Sequence, residues 1–115
     1  MPVSPNYRAY VLEQLSGLGP VIARSMFGGL GLYHNGLFFG LVDDDTLYFK
    51  VDDATRPAYE AAGSGPFRPS SDEGPSMGYY EVPGEVLESR DELATWARRA
   101  VGVARRKASA KRRKG

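Results

Sequence analysis

An Asn-Gly pair at residues 35 and 36 stands between two apolar runs, and it constrains the fold more than any other feature of the chain. Both residues tolerate positive φ, so the pair is typical of a tight turn between two antiparallel strands. A third apolar run, residues 46–52, follows the acidic triplet of residues 43–45, which stands where a second turn belongs. The pattern therefore predicts a meander of three consecutive antiparallel strands.

Helical patterns precede and follow this meander. Residues 4–19 carry apolar side chains at helical spacing after a Ser-Pro start, and residues 53–63 form a shorter helical segment. A further strand is expected at residues 77–83, after a loop rich in Pro, Ser and Gly. Residues 89–107 begin with a Ser-x-x-Glu capping box and continue with an apolar stripe at helical spacing. Strand runs broken by helices, without βαβ alternation, predict a two-layer α+β domain with helices packed on one antiparallel sheet.

Four glycines within residues 28–36 raise the question of a phosphate-binding loop. A dinucleotide fingerprint requires a third glycine after Gly29 and Gly31, which this chain lacks, and the pattern GxxxxGK[ST] does not occur. The glycines also lie within a strand pattern, so no helix N-terminus follows that could hold a phosphate. We interpret Gly28 and Gly29 as a bulge or a close backbone approach, and Gly36 as half of the hairpin turn.

The length and composition are those of one small domain. The chain has 115 residues, of which 42% are hydrophobic and 25% charged, values typical of a soluble globular protein. It has no cysteine, which excludes disulfides, thiolate catalysis and cysteine-based zinc sites. No apolar run approaches the ~20 residues that a membrane-spanning helix needs, and no secretory signal is recognisable. We therefore expect a cytoplasmic protein without membrane contact.

Charge is distributed unevenly along the chain. Residues 98–115 contain nine Lys or Arg and no acid, whereas residues 1–97 contain six bases and all fourteen acids. The interpretation is a folded domain over residues 1–104 and a basic, disordered tail over residues 105–115. Such a tail can contact nucleic acid weakly and without sequence preference through phosphate neutralisation. The residues predicted to make that contact are Arg105, Arg106, Lys107, Lys111, Arg112, Arg113 and Lys114.

No catalytic set assembles from the sequence, so the prediction is a non-enzymatic protein with no catalytic, cofactor-binding or metal-binding residues and no cofactor. The chain has no GxSxG, no HExxH and no cysteine, and its single histidine is His34. The alternative is a small metal-dependent enzyme in which His34 acts together with Asp43, Asp44 and Asp45.

Adjacent aromatic residues indicate a sheet with rings on both faces. Phe38 and Phe39, Tyr48 and Phe49, and Tyr79 and Tyr80 must each point to opposite sides, because strand residues alternate. One face packs under the helices, and the other remains apolar, which favours a groove or a homodimer interface. The residues predicted for a protein interface are Phe39, Tyr48 and Tyr79. Nucleic-acid stacking on this face would need interleaved basic residues, and the strands offer mainly Arg24 and Lys50.

Several motifs in one order resemble the TfoX/Sxy N-terminal domain family. The patterns are RxMFGG, GxY, LYFK, PF, YYxVP and WA, and the resemblance extends over residues 5–104. They fall on residues 24–29, 31–33, 47–50, 66–67, 79–83 and 96–97.

The resemblance implies an α+β fold similar to that of type III secretion chaperones, and no catalytic residues. It also implies a link to the regulation of natural competence, in which full-length relatives act as transcriptional coactivators. Those relatives continue into a C-terminal helical domain, so this chain resembles a stand-alone version of the N-terminal domain. We expect a regulatory or protein-interaction domain, and the further alternative is a secretion-chaperone-like peptide binder that uses the exposed sheet face.

Overall fold

The computed structural model describes residues 3–26, 28–69 and 76–114, without the side chains of residues 77 and 112–114. The helices are α1 (Pro5–Gln14), α2 (Arg56–Ala61), α3 (Gly84–Leu87) and α4 (Arg90–Lys114), and a 3-10 turn at Leu15–Leu18 follows α1. The strands are β1 (Ile22–Met26), β2 (Gly29–His34), β3 (Leu37–Asp43), β4 (Thr46–Lys50), β5 (Pro66–Phe67) and β6 (Ser76–Glu81).

All six strands form one antiparallel sheet in the order β1-β2-β3-β4-β6-β5, which confirms the α+β class. The predicted three-stranded meander is part of a longer one, because the segment Ile22–Met26 forms a further strand at the edge. Strand β6 pairs with β4, and the two-residue β5 closes the other edge.

The turns of the meander have the backbone conformation that their residues predict. Asn35 and Gly36 have φ of 51° and 78°, and Asp44 and Asp45 both have φ of 51°. Two successive residues of positive φ match the twist of the flanking strands, which is why short hairpins favour Asn, Asp and Gly there. The acidic triplet therefore contributes a turn, as expected.

The glycines at the start of β2 shape the sheet. A Cβ at Gly29 would lie 2.3 Å from the carbonyl oxygen of Val42, so the neighbouring backbone approaches too closely for any other residue. Gly28 has φ of 81°, as a turn between β1 and β2 requires. The irregularity in strand register lies elsewhere, between Leu32 and Tyr33, where the facing strand β3 carries one extra residue, Phe39.

The core lies between one face of the sheet and the helices. Helix α4 packs on β3 and β4, and the 3-10 turn packs against α4. At the centre of this layer, Phe39 and Phe49 are fully buried, with ring centroids 5.7 Å apart. The remaining large, fully buried side chains are Val11, Leu15, Leu32, Val42, Leu47, Val51, Leu93 and Val103.

The helix starts are capped as predicted. The Ser4 hydroxyl accepts a hydrogen bond from the backbone N–H of Tyr7 at 3.2 Å, and the Ser89 hydroxyl accepts one from Glu92 at 3.3 Å. Each cap satisfies one of the backbone donors that a helix leaves unpaired in its first turn. The backbone N–H of Ser4 also donates to the Asp45 carboxylate at 2.8 Å, which ties α1 to the second turn of the meander.

The expectation of a disordered tail from residue 105 was wrong for Arg105 to Lys114, because α4 continues as one helix to Lys114. No glycine or proline follows Gly102 before the final residue, and Ala, Lys and Arg have high helix propensity. Two contacts also hold this part of the helix against the domain. Arg106 pairs with the Asp52 carboxylate at 2.8 Å, and the Lys107 ammonium lies 3.5 Å from the Val51 carbonyl oxygen.

Candidate interaction surface

The sheet has a covered face, which packs under the helices, and an open face on the other side. The adjacent aromatic residues divide between the two faces, as the alternation of the strands predicts. The covered face holds Phe39, Phe49 and Tyr80, all buried, whereas the open face holds Phe38, Tyr48 and Tyr79, all partly exposed.

The prediction that Phe39 belongs to a protein interface was wrong, because its side chain is 0% exposed and packs in the core. The reason is the irregularity in β3, which turns both Phe39 and Gly40 toward the covered face and leaves Phe38 on the open face. Period-2 alternation alone cannot show which member of an adjacent pair is buried, since a one-residue shift exchanges the faces. Phe38 is therefore the interface candidate that sequence reasoning missed.

The aromatic residues of the open face form two groups in mutual contact. The Phe38 ring lies 5.2 Å from that of Tyr33 and 5.9 Å from that of Tyr79, measured between ring centroids. The rings of Tyr48 and Phe67 meet edge to face at 4.9 Å. These contacts join β2, β3, β4, β5 and β6 across the surface, so the open face is an ordered apolar layer.

Two cations lie over these rings. The Arg24 guanidinium is 5.7 Å from the centroid of Tyr33, and the Lys50 ammonium is 5.3 Å from that of Phe38 and 5.8 Å from that of Tyr79. Burial, together with the nearby charge of Lys107, lowers the pKa of Lys50. Burial and the neighbouring Tyr33 raise the pKa of Tyr79 to about 12. The neighbouring rings and the aliphatic part of the Lys50 side chain therefore partly shield the Lys50 ammonium and the Tyr79 hydroxyl from water.

One row of the open face carries opposite charges at its two ends. The strand register places Arg24 beside Gly31, Gly31 beside Leu41, Leu41 beside Tyr48, and Tyr48 beside Glu81. Directly paired residues point to the same face of a sheet. The row therefore runs from an exposed cation on β1, through an apolar middle, to an exposed anion on β6.

The structure separates the residues of the hypothetical metal site. His34 ends β2 beside the first turn of the meander, whereas Asp44 and Asp45 form the second turn at the opposite end of β3. The seven residues of β3 span about 20 Å, which is far beyond the reach of a shared metal ion. Nδ1 of His34 instead lies 2.7 Å from the Pro20 carbonyl oxygen.

Within residues 3–26, 28–69 and 76–114, no group of three or more His, Cys, Asp or Glu side chains is placed to hold a metal ion. None of the helices in this part of the chain combines the length and apolar character that crossing a bilayer requires.

The basic residues predicted for nucleic-acid contact point in different directions around α4. Arg105 shares a cavity of about 320 Å³ with His34 and Arg98, and Arg106 is paired with Asp52. Lys107 and Lys111 instead face the margin of the open face near Phe38. The side chains of the remaining three, Arg112, Arg113 and Lys114, lie outside the described residues.

Comparison with known proteins agrees with the motifs. A model of the TfoX N-terminal domain matches residues 13–104, which is most of the chain and includes all six strands. Among curated proteins, no sequence matches this chain. The chain therefore belongs to the TfoX N-terminal domain family.

Proposed function

We propose that this protein is a non-enzymatic, regulatory interaction domain that self-associates as a homodimer through the open face of its sheet. The observation that carries the proposal is the row from Arg24 to Glu81, because its charges complement those of a second copy. The regulatory part is supported by family membership and by the resemblance to competence coactivators.

A two-fold axis parallel to the strands makes this row self-complementary. Such an axis reverses the order of the strands, so β1 of one copy faces β6 of the other. Arg24 then lies opposite Glu81 of the second copy at both ends of the row, Leu41 meets Leu41 of the second copy at the centre, and each Tyr48 lies opposite Gly31. Two-fold interfaces pair the same patch on both subunits, and opposite charges at the rim set the register of an apolar centre.

The size of the open face suits a dimer interface. Six strands at ~4.8 Å spacing give a width of about 24 Å, and strands of five to seven residues give a length of roughly 20 Å. The flat projection is therefore about 480 Å², and projecting side chains increase the accessible area. Standard interfaces bury about 800 Å² on each partner, so the open face has the size of a small, weak interface of under about 1,200 Å² in total. At the edge of this surface, Ile22 is 57% exposed, which is unusual for a large apolar side chain of this domain.

A charge exchange tests the proposal. We expect Arg24→Glu and Glu81→Arg each to weaken the dimer by about tenfold or more, because each places like charges opposite one another. The double variant R24E/E81R restores the opposite pairing and should recover most of the affinity. Light scattering and sedimentation equilibrium over a concentration series measure the dissociation constant. Arg8→Glu is the matched control, since Arg8 is exposed on α1, away from the open face.

Three results would contradict the dimer. These are a wild-type protein that stays monomeric at the highest soluble concentration, single variants that dimerise like wild type, and a double variant that does not recover. A monomer that nevertheless binds extended peptides through Tyr48 and Tyr79 would indicate the peptide-binder alternative. Transcript profiles of cells carrying R24E and R24E/E81R test the regulatory part, which predicts a change in the first strain and recovery in the second.

A further inference from the structure

Three lysines from two elements converge on an open cavity of about 260 Å³ beside the open face. The lysine cleft, as we call it, lies between the end of α4 and the turn that joins β2 to β3. Its lining consists of Gly36, Leu37, Phe38, Lys50, Ala104, Lys107, Ala108 and Lys111.

The charges of this cleft are not balanced within the described part of the chain. The ion pairs there engage Arg56, Arg90 and Arg106, and none of the cleft lysines lies within ion-pair distance of a carboxylate. The nearest candidate, Asp52, pairs with Arg106. Lys50 is partly buried, and burial together with the charge of Lys107 lowers its pKa, as is expected for a cation that pairs with no carboxylate among the described residues. An anion in the cleft would compensate this charge.

The arrangement suits an extended ligand with several phosphates. Lys107 and Lys111 lie one helical turn apart on the same side of α4, and Lys50 faces them from the end of β4. The Phe38 ring lies at the same place, and a nucleotide base can stack on an aromatic ring next to its own phosphate. The strands alone offer Arg24 and Lys50 as cations, and the helix brings two further cations to the aromatic rings.

We propose that the lysine cleft binds the phosphate backbone of a single nucleic-acid strand, with Lys50, Lys107 and Lys111 as phosphate contacts and Phe38 as a stacking surface. The site lies outside the row from Arg24 to Glu81, but Phe38 and Lys50 also belong to the open face, so a bound nucleic-acid strand and the proposed dimer compete for that face. According to this proposal, Lys107 and Lys111 contact the nucleic acid, whereas Arg105 and Arg106, which point elsewhere, do not.

The experiment compares two double variants that remove equal charge from opposite sides of α4. Fluorescence anisotropy of a labelled oligothymidylate strand measures binding over a salt series. We expect K107Q/K111Q to weaken binding at low salt by tenfold or more and to reduce the slope of log K against log salt by about 1.4, since each contact with a single strand contributes about 0.7. The control R98Q/R105Q should leave most of the affinity and the slope in place. Glutamine preserves helix propensity, and circular dichroism verifies that α4 is intact.

A second variant tests the stacking contact. Phe38→Leu keeps an apolar side chain but removes the ring, and we expect about a fivefold or greater loss of affinity for the strand. Phe67→Leu, on the far side of the open face, should bind like wild type.

Several results would overturn the proposal. An equal loss of affinity in the two double variants would show that α4 attracts nucleic acid only through its total charge and not through the lysine cleft. Equal binding of a duplex, or competition by inorganic tripolyphosphate at the same phosphate concentration, would remove the assignment to a single strand. Failure of this proposal can be distinguished from failure of the dimer proposal, because the dimer is detected from the molecular mass of the protein in the absence of nucleic acid.

Discussion

The two faces of the sheet are built from adjacent residues of the same strands, yet they differ in what each can do. On the covered face, helices pack on Phe39, Phe49 and Tyr80, and the Tyr80 hydroxyl donates to the Glu60 carboxylate at 3.1 Å. On the open face, Phe38 and Tyr79 contact mainly other rings and a lysine stem. Composition therefore does not distinguish the core from the exposed aromatic layer in this sheet. The helices decide which aromatic residues become core.

The largest difference between the faces should appear when neighbouring phenylalanines are truncated. We expect Phe39→Ala to lower the free energy of unfolding by about 3 to 5 kcal/mol, because it leaves a cavity under α4. Phe38→Ala should cost about 1 kcal/mol, since its ring is partly exposed and water can replace it. Urea unfolding followed by circular dichroism measures both. Equal losses would contradict the assignment of Phe39 to the core and Phe38 to the open face.

A smaller difference should separate two glycines of β2. A Cβ at Gly29 meets the Val42 carbonyl oxygen at 2.3 Å, and the backbone cannot move without disturbing the pairing of β2 with β3. We expect Gly29→Ala to cost about 2 to 3 kcal/mol. A Cβ at Gly31 meets the flexible end of Met26 at 2.8 Å and the edge of the Phe38 ring at 3.1 Å, and both are side chains of the open face rather than backbone.

Gly31→Ala should therefore cost about 1 kcal/mol or less in the same urea measurement. The matched pair is informative because both glycines belong to one strand and receive the same added methyl group. A larger loss for Gly31→Ala would mean that the open face is packed as rigidly as the core.

The smallest effect is a change of stability at high pH. Burial favours the neutral phenol, so the pKa of Tyr79 rises from 10.0 to about 12 in the folded protein. The associated stability is fully present below pH 10 and is lost as pH rises from 10 to about 12, because the unfolded chain releases the proton first. We expect Tyr79→Phe to reduce the loss of stability over this interval.

Spectrophotometric titration of the phenols follows the same group. In Tyr79→Phe, the ionisation that occurs near pH 12 should decrease relative to wild type, and Tyr10→Phe serves as the control because Tyr10 is exposed on α1. An ionisation of Tyr79 near pH 10 would contradict the partial burial of the aromatic layer.

Much of the fold could be predicted from local chemistry. The Asn-Gly and Asp-Asp turns, the Ser4 and Ser89 caps and the presence of rings on both faces follow from conformational preference and alternation, which involve only neighbouring residues. Strand β1 cannot be predicted in this way, since residues 20–26 are too short a segment to distinguish a helical turn from a strand. Tyr48 and Tyr79 lie on the open face, whereas the prediction of Phe39 as an interface residue was wrong because Phe39 is buried.

The α+β class, the turns and the family follow from the amino-acid sequence alone, because turn residues and motif order are properties of neighbouring residues along the chain. Which ring of each adjacent pair is buried depends on the tertiary structure, because the helices cover one face of the sheet and, for Phe38 and Phe39, one extra residue in β3 sets the face. Packing also separated His34 from the acidic turn and brought Lys107 and Lys111 beside Phe38 and Lys50. These relations depend on long-range contacts between helix and sheet, which no local pattern records.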